Sequence, residues 1–313
     1  MCTAFSLNNN NHYFGRSLDL EFHYNEQVII IPKKYKLNYR YTKINDNHLS
    51  FFGIGIIANN YPLLYDGCNE SGLCIAGLNM PASTNYNIYK TYKTNLCSFE
   101  LIPYLLSKCN NCEDVMNMID TINITNDSFN NDFPVSKLHF IISDKNQSLT
   151  LEIINGKINL YKNIYNVLTN EPELKYHEYN INKYSHFDNL VKNHIKGSNL
   201  IGIPGDNTST SRFIKMNFNI KYIKFESVSE LFNIYNNVFE LNGTNKTLDN
   251  KFYKTIYMVI YNSTNKILYF KTYNNSQIYS CKLYNYQNDN KLFYYSIYND
   301  ENIIDIKKVD IKN

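Results

Sequence analysis

Hydrophobic and polar residues alternate along this chain with two periods, about two residues where strands are expected and three to four where helices are. Phe5-Ser6-Leu7 and Tyr13-Phe14 predict short strands around the polar turn Asn8-Asn9-Asn10-Asn11, a hairpin that carries the chain back past its own start. Gln27-Val28-Ile29-Ile30-Ile31 is an apolar run stopped by Pro32, as a buried strand should be. Residues 51–57 mix β-branched and aromatic side chains around Gly53 and Gly55, which predicts a buried strand closely approached by another backbone. Asn59-Asn60-Tyr61-Pro62 turns the chain, and a further hairpin runs from Tyr65 through Gly72 to Asn79.

The middle of the chain switches to the helical period. Ser98 reads as an N-cap with Glu100 in the first turn, followed by Leu101, Ile102, Leu105 and Leu106, and Val115, Met116, Met118 and Ile119 continue the stripe. Residues 123–131 read as a polar loop, and residues 137–142, 149–154 and 157–161 as a strand meander closed by Val167-Leu168-Thr169-Asn170. His186 and His194 flank a predicted amphipathic helix with Phe187, Leu190 and Val191 inward. A helix capped by Ser211 and another over residues 227–238 precede alternating runs at 253–261, 266–272 and 279–286. Strands and helices in separate blocks predict an α+β fold, two antiparallel sheets face to face with helices outside. No Pro/Gly/Ser-rich linker divides residues 1–313, so a single domain is expected.

Composition narrows the function. The net charge is +3 with both signs scattered along the chain, which leaves no footprint for nucleic acid or a membrane surface. The basic, tyrosine-rich stretch at residues 33–43 (Lys33, Lys34, Lys36, Arg40) reads as a solvated loop or an oligomer face. Seven cysteines form an odd set without framework spacing, which points to reduced thiols and a cytoplasmic home. Cys109-Asn110-Asn111-Cys112 is a lone pair at a helix corner, and the histidines show no HxH or HExxH pairing, so neither a metal nor another cofactor is expected. The first residues contain no apolar signal core, and no window is long and apolar enough for a helical span.

The candidate chemistry sits at the start. Cys2 follows Met1, and a residue this small permits trimming of the methionine, leaving a mature chain that begins at Cys2. Thiol and α-amine then belong to one residue, and an α-amine that titrates near about 8 can take the thiol proton without a histidine. Arg16 and Asp19, just beyond the return strand, supply a cation for a thiolate and a carboxylate for the α-ammonium.

Six blocks occur in register: Met1-Cys2-Thr3, Phe14-Gly15-Arg16-Ser17-Leu18-Asp19, Tyr65-Asp66-Gly67-Cys68-Asn69-Glu70-Ser71-Gly72-Leu73, Ala76-Gly77-Leu78-Asn79, Leu168-Thr169-Asn170-Glu171-Pro172 and the run from Pro204 to Phe213. Together they resemble the choloylglycine hydrolases, the bile salt hydrolases and penicillin V acylases of the N-terminal nucleophile superfamily. The resemblance implies a four-layer αββα sandwich, a homotetramer, and hydrolysis of glycine- or taurine-conjugated bile salts through a Cys2 thioester. It assigns the oxyanion to Asn79 and Asn170 and a second cation near Cys2 to Arg212. Asparagine at position 79 resembles bile salt hydrolases, where typical penicillin V acylases carry tyrosine. Leu18, Tyr24, Ala58 and Phe133 are the expected lining of an apolar substrate groove. Ser17, Leu174 and Thr210 depart from frequent Asn, Phe and Pro. Two alternatives stay open: an acylase for penicillin V or N-acyl homoserine lactones with the same nucleophile, and a non-catalytic protein that binds a partner through the basic tyrosine-rich face.

Overall fold

The computed structural model describes residues 1–43, 47–184, 202–247, 249–286 and 288–303. The predicted helix between His186 and His194 lies outside the described residues. Strands β1 (Cys2–Asn9), β2 (Asn11–Leu20), β3 (Gln27–Ile31), β4 (Phe51–Ala58), β5 (Tyr61–Asn69), β6 (Cys74–Asn79) and β7 (Thr94–Cys97) lead into helices α1 (Leu101–Lys108) and α2 (Cys112–Ile119). Strands β8 (Ile122–Thr125), β9 (Leu138–Ser143), β10 (Ser148–Ile154), β11 (Lys157–Lys162) and β12 (Val167–Leu168) precede helices α3 (Leu174–Ile181), α4 (Ser209–Tyr222) and α5 (Val228–Leu231). Strands β13 (Asn245–Lys246), β14 (Phe252–Asn262), β15 (Ile267–Thr272), β16 (Tyr279–Lys282) and β17 (Phe293–Ser296) follow.

Two antiparallel sheets result. One runs β12-β1-β2-β14-β15-β16 with β13 paired to β14, and the other β11-β10-β9-β6-β5-β4-β3-β17. Helix α4 packs on β1 and β12, and α1 packs on β5 and β6, so each sheet has a helical layer outside. The apolar β3 run shows why the sandwich closes: Val28 and Ile30 join the core between the sheets, whereas Ile29 and Ile31 join the core under α1 and α2. Period-two alternation in a sheet covered on both sides requires apolar residues at every position. Gly53 meets the expectation of close approach, since a Cβ there would collide with the Asp66 carbonyl oxygen.

Several local expectations change. Arg16 and Asp19 lie inside β2, not beyond it, because the hairpin is longer than the two apolar runs, with Asn10 in the left-handed region at its tip. Ser98 does not cap: the first turn begins at Cys97, whose N–H donates to the Glu100 carboxylate at 2.8 Å. Ser211 lies within α4, which starts at Ser209 after Thr208. Residues 122–125, partly placed in a polar loop, form β8, parallel to β7. The helix expected over 227–238 is α5 followed by a 3-10 turn at Phe232–Tyr235. Most consequentially, residues 167–168 do not close the meander. They cross to the other sheet and pair with β1, Ala4 opposite Leu168, which delivers Asn170 to Cys2.

Candidate active site

Cross-strand register sorts the residues around Cys2 onto two faces of its sheet. Cys2 stands opposite Leu18 and Ala4 opposite Arg16, while Thr3 stands opposite Ser17. Side chains directly opposite in an antiparallel pair share a face and neighbours in sequence alternate. Cys2, Arg16 and Leu18 therefore face the second sheet, and Thr3, Ser17 and Asp19 face the helical layer. Strand β14 serves both faces through a bulge between Thr255 and Tyr257, so that Thr255 pairs with Asp19 and Tyr257 with Leu18. Without that extra residue, Thr255 and Tyr257 would point to the same side.

On the inner face, Arg16 is 1% exposed and every arm of its guanidinium is engaged. Nη2 donates to Cys2 Sγ at 3.2 Å and to the Gly77 carbonyl at 3.3 Å. Nη1 donates to Asp66 Oδ2 at 3.1 Å and to the Tyr257 hydroxyl at 2.7 Å, and Nε donates to the Ser17 carbonyl at 3.2 Å. The Tyr257 hydroxyl donates to Asp66 Oδ2 at 2.5 Å, and Tyr261 donates to the other carboxylate oxygen. Burial works against the Arg16 charge, but Tyr257, Cys2 and Asp66 together hold its pKa well above the usual value. A permanent, fully desolvated cation thus touches the sulfur through a charge-assisted hydrogen bond. Asp66 and Tyr257 were not among the residues expected in the site. Asp66 stands inside one of the recognised blocks, but its bond to a residue fifty positions earlier exists only after the sheets stack.

On the outer face, Arg212 also is fully buried, but it serves backbone and amide groups, not the sulfur. Nη1 donates to the Cys2 carbonyl and to Thr3 Oγ1 at 2.8 Å, Nη2 to Asn170 Oδ1 at 2.9 Å, and Nε to the Asn207 carbonyl at 3.0 Å. The Cys2 N–H donates to the same Asn170 oxygen at 2.7 Å. Two obligate donors fix the orientation of that amide, and Asn170 Nδ2 then donates to the Asn79 carbonyl at 2.9 Å. The Asn170 loop is itself pinned: His177 Nε2 donates to the Asn170 carbonyl at 3.0 Å, His139 Nε2 to the Thr169 carbonyl at 2.7 Å, and the Asn170 N–H to Ser209 Oγ at 2.8 Å. With Nε2 donating, His177 Nδ1 is a buried acceptor without a partner, and burial pushes the ring's pKa down to about 4.

Asp19 completes this face. Its Oδ1 accepts from Thr255 Oγ1 at 2.7 Å, while its Oδ2 is buried without a hydrogen bond. The Met1 ammonium donates to the Asp19 backbone carbonyl at 2.5 Å, not to the carboxylate. Burial raises the Asp19 pKa against the pull of the N-terminal ammonium and Arg212. Glu240, also fully buried, lies 3.8 Å from Arg212 Nε.

A cavity of about 270 Å³ opens onto Cys2, Arg16 and Asn79. Of the expected lining, Leu18, Tyr24 and Phe133 are present; Ala58 is not. Ala58 pairs with Tyr61 at the hairpin end of β4, two residues and about 7 Å beyond the rim, and Ile56 lines the cavity in its place. Phe99 and Phe129 add aromatic surface that sequence periodicity did not single out. Cys109 and Cys112 sit buried at the α1–α2 corner as free thiols, and the described residues contain no His/Cys/Asp/Glu group able to hold a metal ion. Among the described residues no helix is long and apolar enough to cross a membrane.

Two antiparallel sheets between helical layers, with a cysteine at the first position of the first strand, define the N-terminal nucleophile hydrolase fold. Residues 2–311 match the family described as linear amide C–N hydrolases, choloylglycine hydrolase family. The chain belongs to that family, and so to the hydrolases of linear amides. It is 36% identical to a bile salt hydrolase/transferase of Lactiplantibacillus plantarum over 90% of this chain and 92% of the relative. It is 32% identical to a bile salt hydrolase/transferase of Clostridium perfringens, over 89% and 91% of the two chains. The structure of the C2A mutant conjugated bile acid hydrolase from Clostridium perfringens superimposes with a TM-score of 0.89 at 30% identity, covering 97% of this chain and 99% of the other.

Proposed function

We propose that the protein hydrolyses glycine- or taurine-conjugated bile salts, with Cys2 as nucleophile once Met1 has been removed. The observation that carries this reading is the apolar cavity that ends on Cys2 and Arg16; the names of the relatives supply the substrate class. The amide carbonyl enters beside the sulfur with the sterol acyl group in the cavity. The Cys2 amine takes the thiol proton, Sγ bonds to the carbonyl carbon, and Arg16 supports the developing thiolate. The tetrahedral oxyanion receives the Asn79 side-chain amide and the second N–H of Asn170 Nδ2, whose first is committed to the Asn79 carbonyl, donors of the kind worth about 2.7–4 kcal/mol each. The C–N bond breaks as the Cys2 ammonium protonates the leaving amine, and water then cleaves the thioester. Loss of Met1 puts an ammonium on Cys2, and Asp19, whose Oδ2 has no hydrogen-bond partner, is the carboxylate we assign to hold it. Arg212 and Asn170 hold the Cys2 backbone.

Intact mass and turnover on one sample test this. Mass lacking Met1 with release of glycine or taurine from bile salt conjugates, abolished in Cys2→Ser, is the expected result. Cleavage of penicillin V alone would keep the nucleophile and replace the substrate. Turnover of neither by a Met1-free protein would overturn the assignment.

A further inference from the structure

The basic, tyrosine-rich stretch at residues 33–43 is a loop with Lys34, Lys36 and Arg40 exposed, but it is anchored from within. Leu37 and Tyr39 are buried in the core under α1, Tyr39 against Tyr104 with ring centroids 5.4 Å apart. Alternation then leaves Arg40 at the surface, with its own N–H donating to Glu100 Oε1 at 2.7 Å. Glu100 holds the Cys97 N–H with its other oxygen, so the Arg40 backbone is locked to the start of the α1 segment.

From that anchor the guanidinium reaches over the Phe99 ring, 5.5 Å from its centroid. Nη1 donates to the Ser128 carbonyl at 2.7 Å and Nη2 to the Phe129 carbonyl at 3.0 Å. Residues 126–137 carry no helix or strand, so these two carbonyls have no ladder donors of their own, and a buried or half-buried carbonyl must find one. The planar fork of arginine matches two consecutive carbonyls; a lysine ammonium does not. Phe129, whose backbone is held, packs edge-on to Phe99 at 5.2 Å and lies 6.3 Å from Phe133. Those three rings line one wall of the cavity that ends on Cys2. The same loop is tied elsewhere by the Asn126 N–H to the Asn87 carbonyl at 2.9 Å, Tyr41 to Asp127 at 3.2 Å and Tyr86 to the Ser136 carbonyl at 3.0 Å.

We infer that Arg40 is a specificity-determining positioning residue: it clamps the Ser128–Phe129 backbone so that the aromatic wall fits a bulky, rigid acyl group. The inference rests on the proposed function for its choice of acyl group. It predicts that loss of the clamp weakens capture of such substrates and spares the chemistry at Cys2, which Arg40 does not touch.

The test compares wild type, Arg40→Ala and Arg40→Lys by hydrogen–deuterium exchange of residues 126–137 and by steady-state kinetics with a glycine-conjugated bile salt. In Arg40→Ala the loop should exchange faster and KM should rise about tenfold, with kcat within about twofold. Arg40→Lys should recover only part of the KM, because one donor replaces a fork. Unchanged loop exchange, or a faster loop with unchanged KM, or a fall in kcat at constant KM, overturns the inference. If wild type turns over no bile salt conjugate, the functional reading falls on that result alone. The exchange comparison still decides the clamp: a faster loop in Arg40→Ala upholds it and an unchanged loop ends it.

Discussion

The two faces of the sheet around Cys2 hold its thiol and its backbone by opposite strategies. The inner face is complete as it stands. Arg16, Asp66, Tyr257 and Tyr261 form a network in which every nitrogen of Arg16 donates and both Asp66 oxygens accept, with the sulfur as one more acceptor. The outer face is over-supplied with acid: Asp19 Oδ2 and both Glu240 oxygens are buried without hydrogen bonds. Burial raises the pKa of both carboxyls, while burial lowers that of Arg212. A buried charge is tolerated only when paired and hydrogen-bonded: the inner face sets a fully hydrogen-bonded cation against the sulfur, whereas the outer face leaves buried carboxylate oxygens short of hydrogen bonds.

That contrast can be broken in order of effect. Cys2→Ala removes the group both faces serve and should lower turnover by about 10⁴-fold or more, with the melting temperature within a few degrees of wild type as the check on folding. Next, a glutamine inserted between Met1 and Cys2 blocks methionine removal and buries no new charge near Arg16. Turnover should fall by about 10³-fold, while alkylation of Cys2 by iodoacetamide continues; equal loss of both would mean that the faces are not independent. Asp66→Asn strips the inner network of its anion and should destabilise the fold by about 3–5 kcal/mol, the cost of breaking a buried ion pair. Denaturant unfolding would show this, and slower Cys2 alkylation would tie the loss to Arg16.

The smallest effect concerns pH on the outer face. His177 is held neutral, its pKa lowered by burial from 6.5 to about 4. Between those values the unfolded chain binds a proton that the folded one refuses, so stability present above pH 6.5 is lost as pH falls toward about 4. The shift corresponds to roughly 3 kcal/mol at most. His177→Gln, which keeps a donor for the Asn170 carbonyl, should flatten the pH dependence of the unfolding midpoint; an unchanged slope would remove His177 as its source.

Much of this was legible in the chain. Strands with strong alternation, such as residues 253–261 and 149–154, and the helical stripe from Leu101 to Leu106 appear within a few residues of where their periods place them. The recognised blocks led to Arg16, Asn79, Asn170 and Arg212, and the structure brings all four around Cys2. Ala58 failed as a lining residue because a strand's side-chain period says which face a residue takes but not where a cavity stops along it. The contacts of Asp66 and Arg40 were not legible for a different reason: their partners lie 50 and about 90 positions away, and a charged residue on a strand or loop has no periodic signature of what it will meet.

The sequence by itself determined most local elements, the family and the candidate nucleophile, because hydrophobic period, turn chemistry and motif order are properties of neighbours in the chain. Only the tertiary structure decided which face each group serves. The crossing of β12 to pair with β1 placed Asn170, and the bulge between Thr255 and Tyr257 divided one strand between Asp19 and Arg16. Both depend on register between distant strands, where a shift of a single residue exchanges inner for outer face, and no local preference of the chain specifies that shift.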